Sequence, residues 1–254
     1  MEYIYCLLFF TFGAIFGSFY NVVGLRGPKN ETFINDRSYC PRCKKTLSWY
    51  ELMPIMSYFI QFGKCRYCGE RISPVYPIIE ALTGCLFLFS YMQIGFDWEL
   101  VIALMLVSML MIILVSDIHY MIIQNNVLRF FLPFFIIMRF ISPLDPWWSP
   151  IVGSLIAIAL LALIIIISRG GMGAGDMKLF GVLGIVLGLQ NVLLAFFLAC
   201  LLGAVVGIAL MALKIVERKQ PIPFGPYIVA GALLSYFYGE EMIHWYMQLF
   251  YINC

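Results

Sequence analysis

The chain has 254 residues, of which 63% are hydrophobic, 17% aromatic and 12% charged, with a mean hydropathy of +0.93 and a net charge of +2. That is more apolar surface than a soluble core of this size hides, so the composition excludes a soluble domain and predicts an all-α polytopic membrane protein. Such a near balance of charge offers no footprint for nucleic acid, and none is expected as a partner; the lipid bilayer is.

Crossing about 30 Å of hydrocarbon takes about 20 apolar residues. Apolar stretches near 3–24, 76–96, 98–116, 126–141, 147–167, 178–189, 191–213 and 225–239 predict about eight transmembrane helices. The first has Glu2 rather than a basic residue ahead of it and no small-residue cleavage exit, which argues for a retained helix and against a signal peptide. Lysine and arginine collect in cytoplasmic loops. Nine of them lie between Arg26 and Arg71 (Arg37 among them), Arg129 in the next alternate gap, Arg169 and Lys178 in the third, and Lys214, Arg218 and Lys219 in the fourth; Arg139 alone falls on the other side. The expected placement is the cell membrane, with both termini extracytoplasmic and the long first loop cytosolic.

That loop, residues 25–75, differs in character from the helix before it (1–24) and the seven-helix core after it (76–254). Cys40, Cys43, Cys65 and Cys68 are spaced C-x2-C-x21-C-x2-C, close to the spacing of zinc knuckles. Two intervening residues let both thiolates of a pair turn toward one ion, and four thiolates close a tetrahedral structural zinc site with no open position. A reducing cytosol argues against disulfides, and a loop poor in aliphatics needs a metal where it lacks a core; four unliganded thiols are the alternative. Cys6, Cys85 and Cys200 read as packing residues and Cys254 as a thiol of unassigned use. Between the knuckles, SWYELMPIMSYFIQFG (48–63) is too short, and too broken by Pro54, to span. It is expected to lie against the membrane surface or to bury against its neighbours, with guidance of a peptide substrate as the functional alternative.

The third predicted helix closes with MLMIILVSDIHY, placing Asp117 among apolar residues, where a charge is costly and usually functional. Asp97, Glu99, Asp145, Glu217, Glu240 and Glu241 fall in connections and flanks instead. The sixth and seventh stretches form one run of about 36 residues, about 54 Å as a single helix, too long to cross once. Gln190-Asn191 is the expected turn, which leaves the sixth helix short and open to a re-entrant reading. At its entry GMGAGDMK (171–178) sets Asp176 and Lys178 behind glycines at 170, 171, 173 and 175. Glycine permits close backbone approach and left-handed turns, and Lys178 is expected to snorkel to lipid phosphates.

Singly, Asp176 reads as well as a helix N-cap and Asp117 as a helix-end charge. Together, at the same cytosolic edge, they read as a pair sharing one proton, one carboxylate activating a water and the other serving a carbonyl and then the leaving amine. His119 and His244 lack ligand-like neighbours and read as surface or packing residues. Gly181, Gly184, Gly188, Gly203 and Gly207 read as helix-packing faces.

These motifs resemble the type IV prepilin peptidases, membrane aspartic proteases of the GxGD class. GSFYNVVGLR (17–26), the paired C-x-x-C loop, SPVYPIIEALTG (73–84), SDIHYMIIQN (116–125), GMGAGDMKL (171–179) and PIPFGP (221–226) are similar to successive blocks of that family. The short first loop and ISPLD (141–145) look most like Gram-positive competence prepilin peptidases. The resemblance implies that Asp117 and Asp176 are the catalytic pair, supported by Gly173, Gly175 and Lys178. It implies cleavage of the short basic leader of prepilin-like or competence pseudopilin substrates after a glycine, and, in many members, methylation of the new N-terminus with S-adenosylmethionine. No strand-end glycine loop of a soluble methyl-donor fold is present; Glu70 and Glu80 are candidates for a further role or for simple helix-flank solvation. The chain departs from the family at Gln124, where proline is usual, which puts the shape of the turn after Asp117 in question. Two other classes accommodate two intramembrane acids: a transporter with a carboxylate proton relay, and a non-catalytic secretion scaffold.

Overall fold

A computed structural model describes residues 2–29, 31, 38–40, 42–168, 172–217 and 222–251, with side chains through Leu249. Of the residues singled out above, Arg37, Arg169, Gly170, Gly171, Arg218, Lys219, Pro221 and Cys254 lie outside the described ones. Among the described residues every regular element is helical, apart from two isolated β-bridges in the cysteine loop. Five of the helices are long and apolar enough to cross a membrane: Glu2–Lys29, Val75–Ile94, Trp98–Tyr120, Ser149–Ile167 and Ala174–Ala212. The chain divides into two compact units, Met1–Tyr120 and Met121–Cys254.

In the first unit α1 (Glu2–Arg26), α3 (Val75–Ile94) and α4 (Trp98–Tyr120) pack together, with the short α2 (Met56–Ile60) in the loop between α1 and α3. Small residues let α1 and α3 approach closely: a Cβ on Gly13 would stand 2.8 Å from that of Phe87, and one on Gly84 2.9 Å from the Phe10 carbonyl. Close approach of α1 to α4 is set by Gly24 against Val115 and by the Tyr20 hydroxyl, which donates to Ser108 Oγ at 2.5 Å. A helix apolar all round belongs inside. Accordingly α4 is 78% buried over its apolar window, against 39% and 33% for α1 and α3. It runs to Tyr120, four residues past the apolar stretch, and Asp117, expected to close this helix, lies in its last turn.

The second unit comprises α5 (Asn125–Ile141), α6 (Ser149–Ile167), α7 (Ala174–Ala212) and α8 (Gly225–Tyr251). Gly181 and Gly184 of α7 meet α6 as expected, a Cβ on Gly184 falling 2.5 Å from the Ser154 backbone. Gly207, by contrast, faces open space. At α8, Ser235 Oγ donates to the Asn191 carbonyl at 2.6 Å. Beyond the expected limit at 239, α8 continues with Glu240 and Glu241 inside the helix.

The 39 residues of α7 would measure about 58 Å as one straight helix. They do not form one: Gly188 has φ 76° and ψ −179°, a conformation open to glycine alone. The break therefore lies at Gly188 and not at Gln190-Asn191, which are helical. Its freed backbone groups are satisfied from neighbouring helices. Arg139 of α5 donates to the Val186 carbonyl through Nε (3.1 Å) and Nη2 (2.5 Å), and the Leu189 N–H donates to Ser149 Oγ at 2.9 Å. Arg139, the basic residue that the charge count sets apart from the others, is 8% exposed and acts as an internal helix cap.

Candidate active site and cysteine centre

Both C-x-x-C pairs fold into the same tight turn. The Cys40 N–H donates to the Lys45 carbonyl (3.0 Å) and the Lys44 N–H to that of Cys40 (2.9 Å); in the second copy Cys65 pairs with Glu70 (2.7 Å) and Gly69 with Cys65 (2.9 Å). Lys44 (φ 59°) and Gly69 (φ 71°) hold equivalent left-handed positions. Each turn buries its first cysteine and presents its second. All four Sγ atoms lie within 4.8 Å of one another, Cys40 and Cys68 at 3.8 Å. Zn–S bonds of about 2.3 Å in a tetrahedron separate the sulfurs by about 3.8 Å, so the Cys40–Cys68 separation matches that of a bound metal ion and the whole set lies within about 1 Å of it.

The electrostatics agree. Burial pushes the Cys40 thiol up, but backbone hydrogen bonds from Cys43 and Arg42 and the thiols of Cys43 and Cys65 outweigh it and bring Cys40 down to about 7. Cys68 is pushed up to about 12 by desolvation and by its hydrogen bonds to Cys65, Cys40 and Cys43. One thiolate is stabilised and the next resisted, which is the condition a divalent cation relieves. Arg42 pairs with Glu70 across the two knuckles, giving Glu70 a structural partner.

Asp117 is 5% exposed on the most buried helix of its unit. Its end of α4 is also the basic end of α1: Val115 packs on Gly24, and Lys29 sits over the Tyr120 ring, 5.6 Å from its centroid. Arg26, at the same end, lies 5.0 Å from the Tyr39 ring centroid, one residue before the first knuckle. Asp117 thus shares the end of its unit that carries the cysteine loop. His119 Nδ1 is 3.0 Å from the Val115 carbonyl, a local helix contact.

Asp176 belongs to the second unit and is half-buried in the first turn of α7. It is not the N-cap. Gly173 takes that position, the Asp176 N–H donates to the Gly173 carbonyl at 3.1 Å, and the Gly173 N–H donates back to Asp176 Oδ2 at 3.1 Å. One carboxylate oxygen is thereby fixed by the turn that its own helix begins with. Lys178 does not simply extend to lipid: its Nζ donates to Asn125 Oδ1 at 3.0 Å. Gly175 is equally committed, since a Cβ there would stand 3.0 Å from Ile123 Cβ. The first turn of α7 is thus held by Ile123 and Asn125, residues that follow Asp117 by six and eight positions. Gln124, between them, is the buried N-cap of α5 with φ −74°, within the range that a proline would impose.

Glu80 was open to a solvated reading, and the structure overturns it. The side chain is buried on α3, accepts from the Ile55 N–H at 2.7 Å and hydrogen-bonds the Ser18 hydroxyl. Asn21 Nδ2 likewise donates to the Tyr76 carbonyl at 3.2 Å. The two motifs 17–26 and 73–84 are therefore one joint between α1, α3 and the cysteine loop. The signal was present in the polar residues breaking two apolar helices on one side, but spacing alone does not say that they meet.

Residues 11–94 match a family model described as the bacterial peptidase A24 N-terminal domain, and residues 104–208 one described as the type IV leader peptidase family. The chain is 44% identical over 242 residues to a prepilin leader peptidase/N-methyltransferase of Bacillus subtilis (strain 168), covering 95% of this chain and 98% of the relative. A protein of the same name from Aeromonas salmonicida (strain A449) is 28% identical over 278 residues, 98% and 96% of the two chains. Another, from Myxococcus xanthus (strain DK1622), is 32% identical over 213 residues, 82% of this chain and 64% of the relative. No solved structure matches the chain.

Proposed function

This chain belongs to the type IV leader peptidase family, and from that premise we propose that it is a membrane-embedded aspartic endopeptidase that removes the short basic leader of prepilin-like proteins, competence pseudopilins among them, after a glycine at the cytosolic face. Asp117 and Asp176 are the proposed pair. The observation that carries the assignment is that Ile123, six residues beyond the buried Asp117, packs on Gly175, the residue before Asp176. One carboxylate takes a proton from water as the water oxygen attacks the peptide carbonyl carbon. Its protonated partner hydrogen-bonds the carbonyl oxygen, and the tetrahedral intermediate collapses with C–N cleavage and proton delivery to the leaving amine.

Asparagine at either position keeps the shape but neither accepts nor shares the proton. Asp117→Asn and Asp176→Asn are each expected to abolish leader cleavage while the protein still assembles in membranes. Normal cleavage by a folded Asp176→Asn protein would remove the assignment; loss of an ion flux with cleavage intact would favour the transporter, and loss of neither the scaffold.

Zinc is the proposed ion at Cys40, Cys43, Cys65 and Cys68, where it supplies a structural crosslink and no catalytic position. Metal analysis should find one zinc per chain, lost when the four are replaced by serine; zinc absent, or retained after replacement, would contradict this. The relatives' names include N-methyltransferase, and we propose the same second activity here, with S-adenosylmethionine as donor. The membrane arrangement proposed is eight spans, counting α1, α3, α4, α5, α6, the two halves of α7, and α8, with both termini extracytoplasmic.

A further inference from the structure

We propose that the segment between the two knuckles, Trp49 to Phe62, is a membrane-interface anchor that docks the cysteine module onto the acidic phospholipids of the cytosolic leaflet. Its large side chains turn outward: Trp49 is 78% exposed, Phe59 and Ile60 67% each, and Phe62 88%. A module closed by four sulfurs has no core to receive them. The backbone is shaped to present them. Phe62 (φ 52°) and Gly63 (φ 65°) are both left-handed, and the Met56 N–H reaches back to the Pro54 carbonyl at 2.5 Å around Ile55, a β-branched residue at φ 62° and ψ −54°. Such a γ-turn is strained and persists only where its surroundings hold it.

What holds it fixes its depth. The Ile55 N–H donates to Glu80, five residues into a spanning helix and so about 8 Å along its axis from the Val75 end. A segment pinned there, on a loop tethered at both ends by spans, lies within reach of the headgroup layer. Its charge complements that layer. Residues 38–73 carry six lysines and arginines against Glu51 and Glu70. Glu51 is buried, and Glu70 is matched by Arg42. Even with a four-thiolate zinc centre carrying two net negative charges, the module stays basic. Lys64 and Arg66 line one shallow cleft together with Met53, Ile60 and Phe62, so cationic groups stand beside exposed apolar ones, the pattern of an interfacial anchor.

The test uses the full-length protein in nanodiscs and has no proteolytic readout, so its failure and that of the aspartate assignment are separable. With Trp98, Trp147, Trp148 and Trp245 changed to phenylalanine, Trp49 should emit at short wavelength and lose most of its intensity when the phosphatidylglycerol acyl chains are brominated. The loss should be smaller in brominated phosphatidylcholine and should disappear with Phe59→Asp and Ile60→Asp together. Glu80→Ala should reduce it, and Glu80→Gln, which keeps an acceptor, should preserve it. In the unmodified protein, a photoactivatable phosphatidylglycerol should label the tryptic peptide from Thr46 to Lys64. Equal emission in plain and brominated discs, or an unlabelled peptide, would overturn the proposal. Protection of Trp49 only after addition of a prepilin leader peptide would assign the face to substrate and overturn it as well.

Discussion

At Gly175 the reason for a glycine differs from the one that sequence suggests. A bare glycine ahead of an acid reads as access for substrate, whereas the structure sets a Cβ at that position 3.0 Å from Ile123 Cβ, inside the protein. Gly175→Val is therefore expected to displace the first turn of α7, and a misplacement near 1 Å costs on the order of 100-fold in rate. Ile123→Ala should restore part of that loss in the double variant, as measured by leader cleavage; absence of any rescue would return the glycine to a substrate contact. Gln124 is the complementary case. Missing the family's proline, it left the turn open in sequence, yet its φ of −74° stays compatible with proline, because a buried N-cap fixes the dihedral from the helix that follows.

Among the elements, α7 separates what hydropathy encodes from what it does not. Its length required a break, which was legible. Gln190-Asn191 are the residues a turn prefers in water, but within a packed helix pair the break went where a positive φ is free and where Arg139 and Ser149 supply the caps. Three residues from three helices make that arrangement, and no local pattern shows it. Gly188→Ala should be destabilising by more than the roughly 1–3 kcal/mol that a residue with a side chain costs at φ 76° and ψ −179°, since its Cβ would also meet Ser149 Oγ at 2.6 Å. Arg139→Met should lower stability by about 1.5–3 kcal/mol through loss of a charged donor to a buried carbonyl. Thermal unfolding in detergent measures both; an Arg139→Met protein as stable as the parent would mean that the Val186 carbonyl finds another donor.

For the whole molecule, long apolar helices and the cluster of four cysteines were legible because burial in lipid requires long apolar runs and a paired C-x-x-C spacing turns thiols toward one point. Tertiary joints were not: Ser18, Asn21, Tyr76 and Glu80 read as scattered polar residues until α1 and α3 are packed. The proposed topology places a cysteine substituted at Glu217 within reach of cytosolic reagents and one at Glu241 within reach of external reagents, and the reverse labelling would overturn it. The proposed dyad of Asp117 and Asp176 acts as one catalytic group. Its most direct measurement is single-turnover leader cleavage by the parent, Asp117→Asn, Asp176→Asn and the double variant. Groups that work as a unit are not additive, so the double variant should cleave no more slowly than either single one. A double variant slowed by the product of the two single losses, or a single variant at the parental rate, would mean that the two acids do not form a dyad.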